Sequence, residues 1–156
     1  MKPGEYKTVQ ARIIGYAHAI GWTFVPREEA ELRRGFDPEV PPADRAKNRS
    51  LFFDDLLDAK VREFNPRYTE AEGALLGAFR HLHTDIYGNR EFVEYLRNRG
   101  KFFDVDAKRE RDLLLIDYDD PTHNVFEVTE EWAFHNGHYG TREDLVFLIN
   151  GIPVLV

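Results

Sequence analysis

Asp144 is the residue of this chain best placed to do chemistry. It opens the apolar run Leu145 to Ile149, which is followed by Asn150-Gly151 and a second apolar run, Ile152 to Val156. Asn-Gly between two hydrophobic runs is a strong hairpin signal, because both turn positions need a positive φ. With a two-residue turn, Ile149 faces Ile152, and Asp144 faces the first position after Val156. Both runs are apolar on both strand faces, so the hairpin is expected to be central and buried. A carboxylate where a buried strand begins must find a partner, a set of hydrogen bonds or a metal ion, since isolated buried charge is costly. The other reading is that Asp144 closes the turn after Gly140-Thr141, a common place for aspartate.

Two histidine groups are weaker candidates. His81-Leu-His83-Thr-Asp85 has the spacing of a metal-binding string. It continues a predicted helix, however, and no third or fourth ligand has an obvious source; a C-terminal histidine pair favoured by the helix dipole accounts for it better. His135 and His138 flank a turn between strands, and two histidines alone do not make a zinc site. Phosphate-cradling Gly-x-x-x-x-Gly-Lys-Ser/Thr and the nucleophile string Gly-x-Ser-x-Gly are both absent from the sequence. Ser50 is the only serine, and its expected place is a helix cap rather than a nucleophile.

The elements that must position these residues follow from periodicity. A first helix is expected from about Tyr6 to Ile20, with Val9, Ile13, Ile14 and Ala17 at helical spacing and Gly21 as its stop. Trp22 to Val25 reads as a short strand, and Arg27 to Arg34 as a short helix ended by Gly35. Phe36 to Lys47 holds three prolines and reads as a loop. Ser50 is the expected cap of a helix reaching Phe64, with Phe52, Leu56 and Ala59 on its buried stripe. Thr69-Glu-Ala-Glu72 resembles a capping box and opens a helix through Leu82. Asn89 is the expected cap of another, with Phe92, Val93 and Leu96 inside and Gly100 at its end. Asp112 to Tyr118 reads as a buried strand. Asn124 to Phe134 reads as a half-wet edge strand, with Val125, Glu127, Thr129 and Glu131 on one face. The fold class is therefore α+β: helices in the first hundred residues flank a mixed or antiparallel sheet formed mainly by residues 111–156.

Composition bounds the function. The 156 residues are enough for one domain with a sizeable core, and 42% are hydrophobic, which suits a globular fold. No apolar run is long enough to span a bilayer, and the N-terminus lacks the apolar stretch of a signal peptide. Cysteine is absent, which excludes disulfides, thiolate catalysis and Cys-ligated zinc and suits a cytoplasmic protein. The net charge of −7 argues against a general nucleic-acid coat but not against a nuclease. Arg45, Lys47 and Arg49, then Arg97, Arg99 and Lys101, then Lys108, Arg109 and Arg111 form local basic groups; interleaved acids favour solvated faces over a phosphate track.

At Asp144 the pattern becomes a resemblance. Arg142-Glu-Asp144, the apolar run, Asn150-Gly-Ile-Pro153 and a second apolar run resemble the nuclease motif in the N-terminal region of the restriction (R) subunit of type I restriction–modification enzymes. In that family a Glu-x-Lys pair follows on the second strand, the PD-(D/E)xK arrangement. Leu114 to Glu131, with its Asp-Asp-Pro-Thr-His-Asn passage, and a first helix ending Ala-Ile-Gly21-Trp22 are also similar to that subunit.

The resemblance implies a Mg2+-dependent endonuclease domain that cleaves double-stranded DNA. Asp144 is then a catalytic residue and a metal ligand. ATP is used only through a motor domain outside this chain, and modification (methyltransferase) and specificity subunits are the partners. Two departures matter. The family's first helix carries a glutamate where spacing from Gly21 puts Gln10, and Glu-x-Lys is not within these residues. The chain is therefore expected to be the front piece of a longer protein and inactive by itself. A non-catalytic assembly or docking domain is the alternative reading; a metallohydrolase built from His81, His83 and Asp85 with His135 or His138 is a third.

Overall fold

The structure is a computed structural model that describes residues 9–41, 49–135 and 138–156. Where composition shows no boundary, contacts divide the chain into two compact units, 1–53 with 125–156, and 54–124.

The first unit is built on a four-stranded mixed sheet. Its strands are β1 (Thr23–Val25), β4 (Phe126–His135), β5 (Gly140–Ile149) and β6 (Ile152–Leu155), in the order β1-β4-β5-β6. β1 runs parallel to β4, while β4–β5 and β5–β6 are antiparallel. Two helices belong to this unit, α1 (Ala11–Ala19) and α2 (Arg27–Arg33).

Both helices stop where glycine allows it. The amide of Gly21 (φ 97) donates to the carbonyl of His18 and that of Trp22 to Ala17, and Gly35 (φ 90) and Phe36 repeat the pattern on Leu32 and Glu31. A side chain with a Cβ is penalised in this left-handed conformation, so the stops expected at these two glycines are local chemistry. Val25, Val128, Val146, Leu148 and Ile152 fill the core of the unit, and Trp22 packs its ring 5.2 Å from both Phe126 and Phe147.

The Asn150-Gly151 turn is as expected, with φ of 53 and 80 and Ile149 opposite Ile152. The strands on either side of it correct two expectations. β6 is the sheet's outer strand and not a central one; Val154 and Leu155 are exposed. β4, read as a half-wet edge, lies between β1 and β5 and buries Glu127, Val128 and Thr129. Its charged residues imitate an edge pattern because Glu127 is neutralised inside the fold, where Arg33 approaches it at 2.8 and 3.3 Å.

The second unit holds α3 (Asp54–Phe64), α4 (Ala74–Arg80), α5 (Ile86–Leu96) and a hairpin of β2 (Lys101–Asp104) and β3 (Arg109–Asp112). Several helix starts differ from the sequence reading. α3 begins at Asp54; the Ser50 hydroxyl instead accepts from the amide of Phe52 in a local turn. Its buried stripe is Phe53, Leu57 and Val61, displaced from the expected Phe52, Leu56 and Ala59. α4 starts after Gly73 with no side-chain cap, so Thr69 to Glu72 form no capping box. α5 is capped by Asp85, whose carboxylate accepts from the amides of Tyr87 and Gly88 at 3.0 Å. Asn89 lies one turn inside the helix.

Leu113 to Tyr118 is not a strand. Leu113, Leu115 and Ile116 are buried; the Leu113 amide donates to the carbonyl of Gly100, and the backbone after it is held by side chains. Asn65 donates to the carbonyl of Leu114 and accepts from its amide. Asn98 accepts from the amides of Leu115 and Ile116 and donates to the carbonyl of Ile116. Two asparagine amides thus do the work of a neighbouring strand, which a buried backbone requires. Apolar periodicity cannot distinguish this from a strand.

Asp117 to Asn124 is tied in the same way and carries a titratable knot. His123 Nδ1 lies 2.7 Å from Asp117 and Nε2 3.4 Å from Asp120. The hydrogen bond to Asp117, and next the charge of Asp120, raise the His123 pKa above its usual 6.5. A raised pKa in the folded state means that the contribution is complete below about 6.5 and fades as pH climbs through the folded value. Two-dimensional NMR of the His123 ring should show its midpoint above that of a free histidine, with His123→Gln flattening the stability profile across neutral pH. A midpoint at or below the free value contradicts this.

Candidate functional site

Strand alternation puts Leu148, Val146, Asp144 and Arg142 in one row on one face of β5. Leu148 and Val146 are fully buried, and Asp144 and Arg142 are exposed, so the row leaves the core as it runs back toward the start of the strand. Opposite it on β4 stand Glu127, paired with Leu148, and Thr129, paired with Val146. The sequence reading placed Glu127, Thr129 and Glu131 on one face, and this row follows it.

At Glu131 the ladder changes. The pairs Glu130–Leu145 and Trp132–Glu143 are regular, but the pair between them, Glu131 with Asp144, is missing. Glu131 has φ 54, a left-handed backbone in the middle of a strand. Few residues other than Gly, Asn and Asp take that conformation. Its carboxylate receives Arg142 Nε at 2.9 Å. Asp144, by contrast, has no hydrogen-bond or ion-pair partner among the described residues. The expectation of a buried carboxylate differs from the structure, in which Asp144 is exposed; β6 pairs with Phe147 to Ile149.

β6 also changes the register. Leu148 pairs with Pro153 and Phe147 with Leu155, so Val154 is an extra residue. A bulge of this kind shifts every later pair by one.

Further along β4 an arginine secures the strand. Arg34 lies flat on Trp132, 3.7 Å from its ring centre, and donates to the carbonyls of Ser50 and Ala133 at 2.6 and 2.8 Å. Burial first, and the nearby Arg49 second, lower its pKa to about 10. It is charged at neutral pH and serves as a structural clamp.

The other candidates are not brought together. Asp85 is committed to capping α5, and no group of three or more potential metal-ligating side chains exists among the described residues. Most of the described basic groups are salt-bridged: Arg97 and Arg99 to Glu94, Lys101 to Asp112, Arg111 to Asp104, and Arg49 to Glu31, while Lys108 and Arg109 have no ion pair among the described residues. Arg45 and Lys47 lie outside the described residues. A groove of about 580 Å³ in the second unit is lined by Arg67, Lys101, Arg109 and Arg111, but Arg67 and Arg111 share the buried Asp104 and Lys101 holds Asp112. The Ala107 amide, and after it Arg111 and Arg67, hold the Asp104 pKa below the usual carboxylate value, so its charge belongs to the hairpin. Gln10 is buried, and its side-chain oxygen has no hydrogen-bond partner.

Against this geometry the comparison with protein families is specific. Residues 2–156 match the family described as type I restriction enzyme R protein N terminus. The chain belongs to this family. No curated protein sequence matches the chain.

Family membership covers the whole described chain, including the α+β fold whose strands carry Asp144. The residues that sequence reasoning missed are Glu131 in its role opposite Asp144, and the asparagines that replace strand partners. The only sequence signal for Glu131 was its place in the alternating β4 row.

Proposed function

We propose that this chain is the nuclease region of a type I R protein and that Asp144 takes direct part in cleaving double-stranded DNA. The observation that carries the reading is the contrast on one sheet face. Glu127 and Glu131 are each neutralised by an arginine, while Asp144, on the same face and next along its strand from buried Val146, keeps an uncommitted carboxylate. Membership of the R-protein family supports it.

The reaction is hydrolysis of a phosphodiester. A water oxygen forms a bond to phosphorus, one P–O ester bond breaks, and the departing oxygen takes up a proton. A divalent ion such as Mg2+, held by hard oxygen ligands, would polarise the phosphate and acidify the water. Asp144 fits one ligand position for such an ion. The described residues do not complete the set, since no third acidic or histidine group converges there. This chain's own contribution is therefore to supply and orient that single carboxylate.

In the intact enzyme, translocation and ATP use would belong to a separate motor domain. Target choice would lie with modification and specificity subunits. The rival reading, a non-catalytic docking domain, draws on Gln10, a buried amide where the family's first helix carries a glutamate.

The 156-residue chain by itself should bind Mg2+ weakly and leave plasmid DNA uncut. Agarose electrophoresis of supercoiled plasmid incubated with the chain and Mg2+ checks this. Robust metal-dependent nicking would overturn the incomplete-site reading.

A further inference from the structure

We propose that Arg142 contacts a phosphate of the bound DNA strand beside Asp144, and that Glu131 is the positioning residue that aims it. The inference rests on the reading of Asp144 as a cleavage residue and adds substrate-binding roles for two further side chains.

Four observations carry it. Glu131 holds a left-handed backbone, φ 54, that a glutamate rarely takes, and it does so in the middle of a strand rather than in a turn. The ladder breaks at this residue alone, opposite Asp144. The Glu131 side chain is 15% exposed and takes Arg142 through Nε at 2.9 Å. The Arg142 side chain is 54% exposed and has no other partner among the described residues. Binding through Nε fixes the guanidinium plane and leaves its two terminal nitrogens open.

The chemistry of the open edge selects the ligand. Two parallel N–H donors in a rigid plane match two oxygens of a phosphate. Residues two apart on a strand project from the same face about 6–7 Å from each other. Arg142 would therefore grip the backbone within a phosphate's breadth of the Asp144 carboxylate. The arrangement also settles the charges. Glu131 and Asp144 would stand as like charges across the ladder, which is unfavourable. Arg142 neutralises one of them and leaves the other available. A purely structural ion pair would need neither the unusual backbone nor the open guanidinium edge.

The test compares Asp144→Ala, Arg142→Ala, Arg142→Lys, Glu131→Gln and Glu131→Gly in the assembled restriction enzyme, on a plasmid that the unaltered enzyme cleaves. Glycine tolerates the left-handed backbone, so Glu131→Gly removes the carboxylate without strain. The expected pattern is a cleavage loss of about a hundredfold for Arg142→Ala, with little rescue by Arg142→Lys because the planar fork is gone. Glu131→Gly should keep or raise the melting temperature of the chain and still slow cleavage about tenfold, with Glu131→Gln in between. Steady-state rates should place the Arg142→Ala loss partly in KM, with a shallower salt dependence, since one phosphate contact is removed. If Asp144→Ala is dead while Arg142→Ala and Glu131→Gly cleave at the unaltered rate, this proposal falls and the Asp144 reading stands. If Asp144→Ala cleaves normally, the underlying reading falls as well. Arg142 is exposed, so its variants fold and keep the test decisive should Glu131→Gly not.

Discussion

Asp144→Ala in the assembled restriction enzyme is expected to lower DNA cleavage by at least a hundredfold to a thousandfold, about the scale of losing one preorganised group that stabilises developing charge. On the proposed reading ATP hydrolysis and translocation should continue, because they would belong to a separate motor. The substitution is a clean one. Asp144 is exposed and has no hydrogen-bond or ion-pair partner among the described residues, so removing it breaks no ion pair there and opens no cavity. Any fall in cleavage without a fall in melting temperature therefore reports chemistry. Asp144→Asn sharpens the test: it keeps the shape and removes the charge, and a neutral amide is a poor ligand for a hard dication. The docking-domain reading makes the opposite forecast, with both variants cutting DNA normally.

How much of this was legible in the sequence depends on what each signal measures. Gly21, Gly35 and Asn150-Gly151 were readable because each reports a backbone requirement that few residues can meet, and all of them adopt positive φ. Asp144 was singled out by resemblance and by hairpin spacing, but as the residue that opens its strand; β5 begins at Gly140, so Asp144 lies inside it. Its environment was not legible. The apolar run after it predicts burial, whereas on β5 full burial is confined to Val146 and Leu148 and stops short of Asp144. Leu113 to Ile116 failed for a related reason: apolar content says that a segment is buried, not who supplies its hydrogen bonds. Asn65 and Asn98 supply them from 49 and 17 residues away, a distance no local pattern spans. The bulge at Val154 had a signal beside it, since Pro153 cannot donate to a ladder and within sheets is confined to edges and bulges.

Asn150→Ala should be among the most damaging single changes to the first unit, at about 2–5 kcal/mol. Two separate costs add. Asn150 sits at φ 53, where alanine pays about 1–2 kcal/mol for its Cβ. Its side chain is also fully buried and does a second job: its oxygen accepts from the backbone amide of Val125 at 2.8 Å, beside the bond of 2.9 Å that the Asn150 backbone amide donates to the carbonyl of Val125. Alanine leaves the Val125 amide buried without an acceptor, which costs a further 1–3 kcal/mol or so. The turn and the start of β4 are thus locked together by one side chain, which sets the register of the row that presents Asp144. Asn150→Gly separates the two costs. It accepts the backbone without strain but cannot hold Val125, so its loss should be about half that of alanine. Asn150→Asp keeps both an acceptor and a tolerance for the left-handed region but buries a carboxylate, so its stability should fall as pH rises and the group ionises. Thermal unfolding of the three variants across pH checks these outcomes. A glycine variant as stable as the original would mean that the turn's backbone alone matters, and that the bridge to Val125 adds nothing.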